Sequence, residues 1–190
     1  MMISLSELLK ENEAFLDNKV IVFPTDTVYG LGCKWTDSEA IEKIYEIKKR
    51  DGRKPIAVLV SRIEQILPYI EIINPKSLEL LFKYWPGQVT FIFKIKSNFN
   101  YPTETIAFRM PASSVAKKII DHFGPLSTTS VNLSGEAPIN NVNEINSSFK
   151  DQIDLVVSDT EEMSEVSSTI VDLTSNEIKI IRQGSVIINV

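Results

Sequence analysis

The chain has 190 residues, 43% hydrophobic and 24% charged, and a formal net charge of −5 at pH 7. That is ordinary soluble-globular material, enough for one core, and a single domain over residues 1–190 is expected. The acidic balance argues against broad nucleic-acid binding, which needs a large basic footprint; the apolar runs fall far short of the roughly 20 residues that cross a bilayer; and Met1–Lys10 lacks the basic-then-apolar pattern of a signal peptide, so no membrane partner and a cytoplasmic location are expected.

Ser4 and Glu7 form a capping-box pattern, and Leu5, Leu8, Leu9, Phe15 and Leu16 give a helical apolar stripe. Val20–Phe23 predicts a short buried strand stopped by Pro24, with a glycine-containing loop from Pro24 to Gly32 behind it. A second helix opens at Thr36-Asp37-Ser38-Glu39, with Ile41, Ile44, Tyr45 and Ile47 inward and Lys48 and Arg50 at its C-terminal end, where cations suit the helix dipole. Ile56–Val60 predicts a strand, and Ser61–Glu64 a capped short helix that ends near Tyr69. Asn74-Pro75 starts a helix through Trp85 that Pro86-Gly87 breaks. Strands follow at Val89–Ile95 and Thr105–Met110, a helix at Pro111–Phe123, a strand at Leu126–Ser130 and a helix at Asn141–Phe149. Ser158–Ser168 reads as a mobile polar loop, and the tail carries strands at Leu155–Val157, Thr169–Leu173, Ile178–Arg182 and Val186–Val190. Alternating helices and strands followed by a strand-rich tail predict an α/β (α+β) fold around a twisted mixed sheet.

Three polar clusters at the ends of apolar runs carry the chemistry. Lys48–Lys54 holds five positive charges in seven residues; Gly52 lets the chain turn back, and Pro55 leads directly into a strand, so its lysines and arginines are candidates for clamping phosphates. Pro24–Gly32 carries two threonines, a tyrosine and two glycines at a spacing that fits neither a Walker loop nor a dinucleotide fingerprint. Ser127–Gly135 packs hydroxyls and Asn132 at a strand end, the place where open α/β sheets bind ligands. Arg109 and Arg182 also end strands. The single cysteine, Cys33, excludes an intramolecular disulfide and reads as a small buried filler; the single histidine, His122, has neither a nucleophile elbow nor a zinc set around it, so no metal site is expected.

Taken in order, these segments resemble the YrdC/TsaC family of L-threonylcarbamoyladenylate synthases. The matching pieces are Phe23–Gly32, Lys48-Lys49-Arg50, Trp85-Pro86-Gly87 with Val89-Thr90, Ala107–Pro111, Ser130–Gly135, Ser168–Asp172 and Ile181–Gly184, spread over nearly the whole chain. The resemblance implies a YrdC-like open twisted sheet flanked by helices around a deep, positively charged cavity. It also implies a reaction in which L-threonine, bicarbonate and ATP, accompanied by Mg2+, give threonylcarbamoyl-AMP and pyrophosphate for a tRNA modification beside the anticodon. RNA contact and downstream modification proteins are the partners it suggests. Carried over by position, Thr27, Arg109, Thr128 and Ser168 would hold threonine. Lys48, Arg50, Lys54, Ser130, Asn132 and Arg182 would hold ATP, with Lys48 and Arg50 at the catalytic step. The chain departs from the family pattern at Asp26, where Glu is frequent, at Asp51, where proline is frequent, and at Leu59, where some relatives carry a histidine. Two rival readings are an RNA-binding module without catalysis and a carbamoyl-transfer enzyme of the hydrogenase-maturation type.

Overall fold

The computed structural model describes residues 1–49, 55–72 and 74–188. In chain order the elements are β1 (Met2–Ile3), α1 (Leu5–Leu8), a 3-10 turn at Glu13–Leu16, β2 (Ile21–Phe23), β3 (Gly30–Lys34), α2 (Ser38–Lys48), β4 (Ala57–Leu59), a 3-10 turn at Ile63–Gln65, β5 (Ile70–Glu71), α3 (Lys76–Tyr84), β6 (Val89–Ile95), β7 (Thr105–Arg109), α4 (Ser114–Phe123), β8 (Leu126–Ser130), α5 (Val142–Ser148), β9 (Leu155–Val157), β10 (Thr169–Asp172) and β11 (Lys179–Arg182). The strands join one mixed sheet in the order β1-β9-β2-β3-β8-β4-β7-β6-β10-β11, with β5 also paired to β6. β1·β9, β2·β9, β4·β7 and β6·β10 are parallel; the other pairs are antiparallel. The α/β architecture expected from the alternation of patterns is the one observed.

The period-2 alternation of β2 places helices on both faces of this sheet. Val20 and Val22 pack with Ile44 and Ile47 of α2 and Ile145 of α5, whereas Ile21 and Phe23 pack with Leu5 and Leu8 of α1 and with Val115, Ile119 and Ile120 of α4. A third cluster joins Leu80 and Leu81 of α3 to Phe91, Phe93 and Phe108. Cys33 is fully buried, and burial pushes its thiol up to about 12, so it is the inert filler expected. His122 uses its Nε2 on the Glu11 carbonyl at 2.7 Å, a structural contact.

Several local expectations are corrected. Gly30 and Gly32 lie in β3, not in a loop: a Cβ at Gly32 would stand 2.8 Å from Thr128 Oγ1, so the glycines answer to the close approach of β8 and of the Phe23 ring. The first helix stops after one turn, because Asn12 caps a separate 3-10 turn by accepting from Ala14 N at 3.0 Å. α4 starts at Ser114, where Ser113 Oγ accepts from Ala116 N, three residues after Pro111. The Ser61 turn is closed by Gln65, whose Oε1 accepts from Ser61 N at 2.8 Å, instead of by Glu64. The polar stretch 158–168 is pinned: Ser164 N and Glu165 N donate to the carbonyls of Asp26 and Thr27, and Glu161 accepts from Ser113 Oγ and Ser114 N. Within the last expected strand, Val186–Ile188 is irregular, and residues 189–190 lie outside the described residues.

Candidate active site

A hollow of about 310 Å³ opens over the sheet, within the roughly 300–1,000 Å³ of ligand pockets. It exists because the sheet is paved with small residues there. Gly30, Ala57, Ala107 and Thr128 line it, with Ala57 opposite Thr128 and Ala107 opposite Ile92 across the strands. Larger side chains at these positions would fill the space that a ligand needs. The hydroxyls and cations come from the strand ends and loops around this floor.

At one end Arg109, the last residue of β7, is 6% exposed and donates from each of its three guanidinium nitrogens. Nε donates to the Gly87 carbonyl at 3.1 Å, Nη1 to Thr27 Oγ1 at 2.7 Å and Nη2 to Asp26 Oδ1 at 2.6 Å. Burial lowers its pKa, and Asp26 pushes it back up; arginine stays cationic throughout. Thr27 is held in turn by Thr25, whose Oγ1 lies 3.0 Å from Thr27 Oγ1 and donates to the Val28 carbonyl at 2.7 Å. The β2–β3 connection is thus a hydroxyl-braced turn that presents Thr27 beside a fixed cation.

Two strands along the sheet, Ser168 lies just before β10, with its Oγ 2.8 Å from Thr90 Oγ1. Arg182 ends β11 and grips the Ser168 carbonyl with Nε at 3.1 Å and Nη2 at 2.7 Å. Partial burial lowers the Arg182 pKa, and its charge also reaches Arg109. The third side is the turn after β8. Ser130 Oγ donates to Asn132 Oδ1 at 2.7 Å, and Asn132 Nδ2 donates to the Glu136 carbonyl at 2.6 Å. Lys48 closes this side from behind. It is 1% exposed, and its Nζ donates to Asn132 Oδ1 and the Ser130 carbonyl, both at 2.6 Å, and to the Asn132 carbonyl at 3.0 Å.

Of the ten residues singled out from the sequence, Thr27, Arg109, Thr128, Ser130, Ser168 and Arg182 line one hollow. Lys48 and Asn132 stand behind its wall. The cationic cluster expected to face a ligand therefore has its first member turned into the protein, because the carbonyls of the 130–132 turn offer it acceptors. Arg50 and Lys54 lie outside the described residues. Sequence reasoning gave no individual role to Thr25, Thr90 or Asp26; Thr90 is a hydroxyl between the apolar Val89 and Phe91 of a strand, a signal that could have marked it. Among the described residues no group of three or more His, Cys, Asp and Glu side chains could hold a metal ion, and no helix is long and apolar enough to cross a membrane.

Comparison with known proteins fits this geometry. The family profile of Sua5, YciO and YrdC proteins, described as telomere recombination, matches residues 13–184. A threonylcarbamoyl-AMP synthase of Coxiella burnetii is 36% identical over 73% of this chain and 77% of its own length. A threonylcarbamoyl-AMP synthase of Pyrococcus abyssi is 30% identical over 88% of this chain and 51% of its own, so this chain spans about half of that relative. The crystal structure of P. abyssi Sua5 complexed with L-threonine superposes with a TM-score of 0.87 at 26% identity, covering 97% of this chain and 57% of that one.

Proposed function

The chain belongs to the Sua5–YciO–YrdC family, and on that premise we propose that it is a threonylcarbamoyl-AMP synthase. The threonine amine and bicarbonate condense to a carbamate with loss of water; a carbamate oxygen attacks the α-phosphorus of ATP, and pyrophosphate leaves. The product supplies the threonylcarbamoyl group for tRNA modification beside the anticodon. The observation that carries the reading is convergence: Thr27, Arg109, Thr128, Ser130, Ser168 and Arg182 come from five separate segments and meet on one hollow.

The reactants are anionic or zwitterionic, so bringing them together is the main barrier, and the site needs positioning and fixed charge more than an acid–base pair. Thr27, Arg109, Thr128 and Ser168 hold threonine, its carboxylate on the N–H groups of Arg109 that remain. Arg182 and Ser130 hold the nucleotide's phosphates, with Arg50 and Lys54 completing that end. Lys48 and Asn132 act on ATP by holding the Ser130 turn in place, since both are spent on protein partners. Magnesium enters as part of the ATP substrate, held by the phosphates. The chain works as a single cytoplasmic domain and passes its product to downstream modification proteins or RNA.

Pyrophosphate release measured with MgATP, omitting one reactant at a time, tests the reading. It is expected to require both L-threonine and bicarbonate, with threonylcarbamoyl-AMP detected by mass. Release that ignores threonine, or that carbamoyl phosphate sustains in place of threonine and bicarbonate, overturns it.

A further inference from the structure

Arg109 and Arg182 are the two arginines among the described residues that line the hollow, and they are equipped differently. Arg109 forms a salt bridge of 2.6 Å with Asp26, and both side chains are about nine-tenths buried. Asp26 Oδ2 is buried and has no hydrogen-bond partner, so this carboxylate is compensated chiefly by Arg109. Arg182 instead donates to the carbonyl and the hydroxyl of Ser168, and no carboxylate among the described residues pairs with it. Among the described residues, one cation is thus paired with a carboxylate and the other is not.

A hollow that takes both a triphosphate and a zwitterionic amino acid has to sort them. A guanidinium with no carboxylate partner attracts a phosphate more strongly than it attracts the carboxylate of a zwitterion, whose ammonium cancels part of the field. We propose that Asp26 does this sorting: held in a balanced pair, Arg109 is closed to phosphate and left to the amino-acid carboxylate, while Arg182 serves the nucleotide. The inference rests on the synthase reading and adds a specificity residue to it. Arg109 spends three of its N–H groups on Gly87, Thr27 and Asp26. A guanidinium has five, so two remain for a carboxylate.

Inorganic phosphate is the probe. In the wild-type protein it is expected to compete with ATP and not with threonine. Asp26→Asn keeps an oxygen acceptor for Arg109 Nη2 but removes the charge. That variant is expected to bind phosphate about tenfold more tightly by calorimetry, the size of one charge-assisted contact, and the added binding is expected to compete with threonine. The double variant Asp26→Asn with Arg109→Met is expected to lose the gain, which assigns it to Arg109. Three results overturn the proposal: phosphate competing with threonine in the wild type, a cooperatively folded Asp26→Asn with unchanged phosphate affinity, or a gain that survives the loss of Arg109. If Asp26→Asn does not fold, the wild-type competition pattern decides. A wild-type protein without threonine-dependent pyrophosphate release refutes the synthase reading, while phosphate calorimetry still reports on Asp26.

Discussion

Two cations are buried on different sides of the same hollow, and they are held in different ways. Among the described residues, the Lys48 ammonium donates three hydrogen bonds into one short segment, Ser130–Asn132. The Arg109 guanidinium reaches three acceptors on two segments, Asp26 and Thr27 on one and Gly87 on the other, and one of the three is a carboxylate. The first arrangement is a strut: it shapes a wall from behind. The second is a joint that ties the β2–β3 turn and the chain before β6 to the end of β7, while keeping donors for a ligand. Burial alone therefore does not separate a structural charge from a ligand-binding one; what separates them is whether the group lines the hollow, as Arg109 does and Lys48 does not.

The difference predicts the largest effect at the joint. Arg109→Ala removes a preorganised charge from the threonine end and is expected to lower turnover by about 10²–10³-fold. It also strands the Asp26 carboxylate in a buried position, a loss of about 3–5 kcal/mol for a broken buried pair. Urea denaturation and pyrophosphate kinetics on the same preparation measure both. Turnover within about threefold of wild type would make the arginine a purely structural residue and erase the contrast with Lys48.

At the strut the expected effect is smaller and of another kind. Lys48→Met leaves the Ser130 and Asn132 carbonyls and Asn132 Oδ1 without their cationic donor, which is expected to cost roughly 3 kcal/mol of stability. As the turn relaxes, the KM for ATP is expected to rise about tenfold, with that for threonine nearly unchanged. A variant that loses turnover with both KM values intact would instead put the Lys48 ammonium in contact with the reacting groups.

Much of this site could be read from the sequence, for a physical reason. Arg109, Ser130 and Arg182 each end a short strand bounded by local sequence signals, and a strand end is where a polar side chain can leave the core. What could not be read depended on distant partners. Asp26 and Arg109 are 83 positions apart, and nothing in Pro24–Gly32 announces that its one carboxylate faces a cation from β7. Lys48 ends an 11-residue helix, where a lysine ordinarily stays in solvent near the carbonyl end of the dipole; only the 130–132 turn draws it inward. β3 escaped because two glycines are poor strand formers on their own, and the packing that demands them comes from β8. The two-residue strands β1 and β5 are too short for any periodicity to register.

The floor between the two walls gives the smallest and most specific test. A Cβ at Gly32 would lie 2.8 Å from Thr128 Oγ1, 3.0 Å from the Ser127 carbonyl and 3.3 Å from the Phe23 ring. The Ser127 carbonyl belongs to the ladder and cannot swing away, so Gly32→Ala is an overpacked substitution, expected to cost about 1–3 kcal/mol. At roughly 2–4 °C per kcal/mol for a chain of this size, that is a measurable fall in Tm. The Thr128 hydroxyl now donates to the Leu126 carbonyl at 3.1 Å and would be displaced toward the hollow. The threonine KM is therefore expected to rise while the ATP KM holds, placing Thr128 with the Arg109 side of the site. An equal rise in both would instead mean that the floor is shared and that the hollow has no separate amino-acid end.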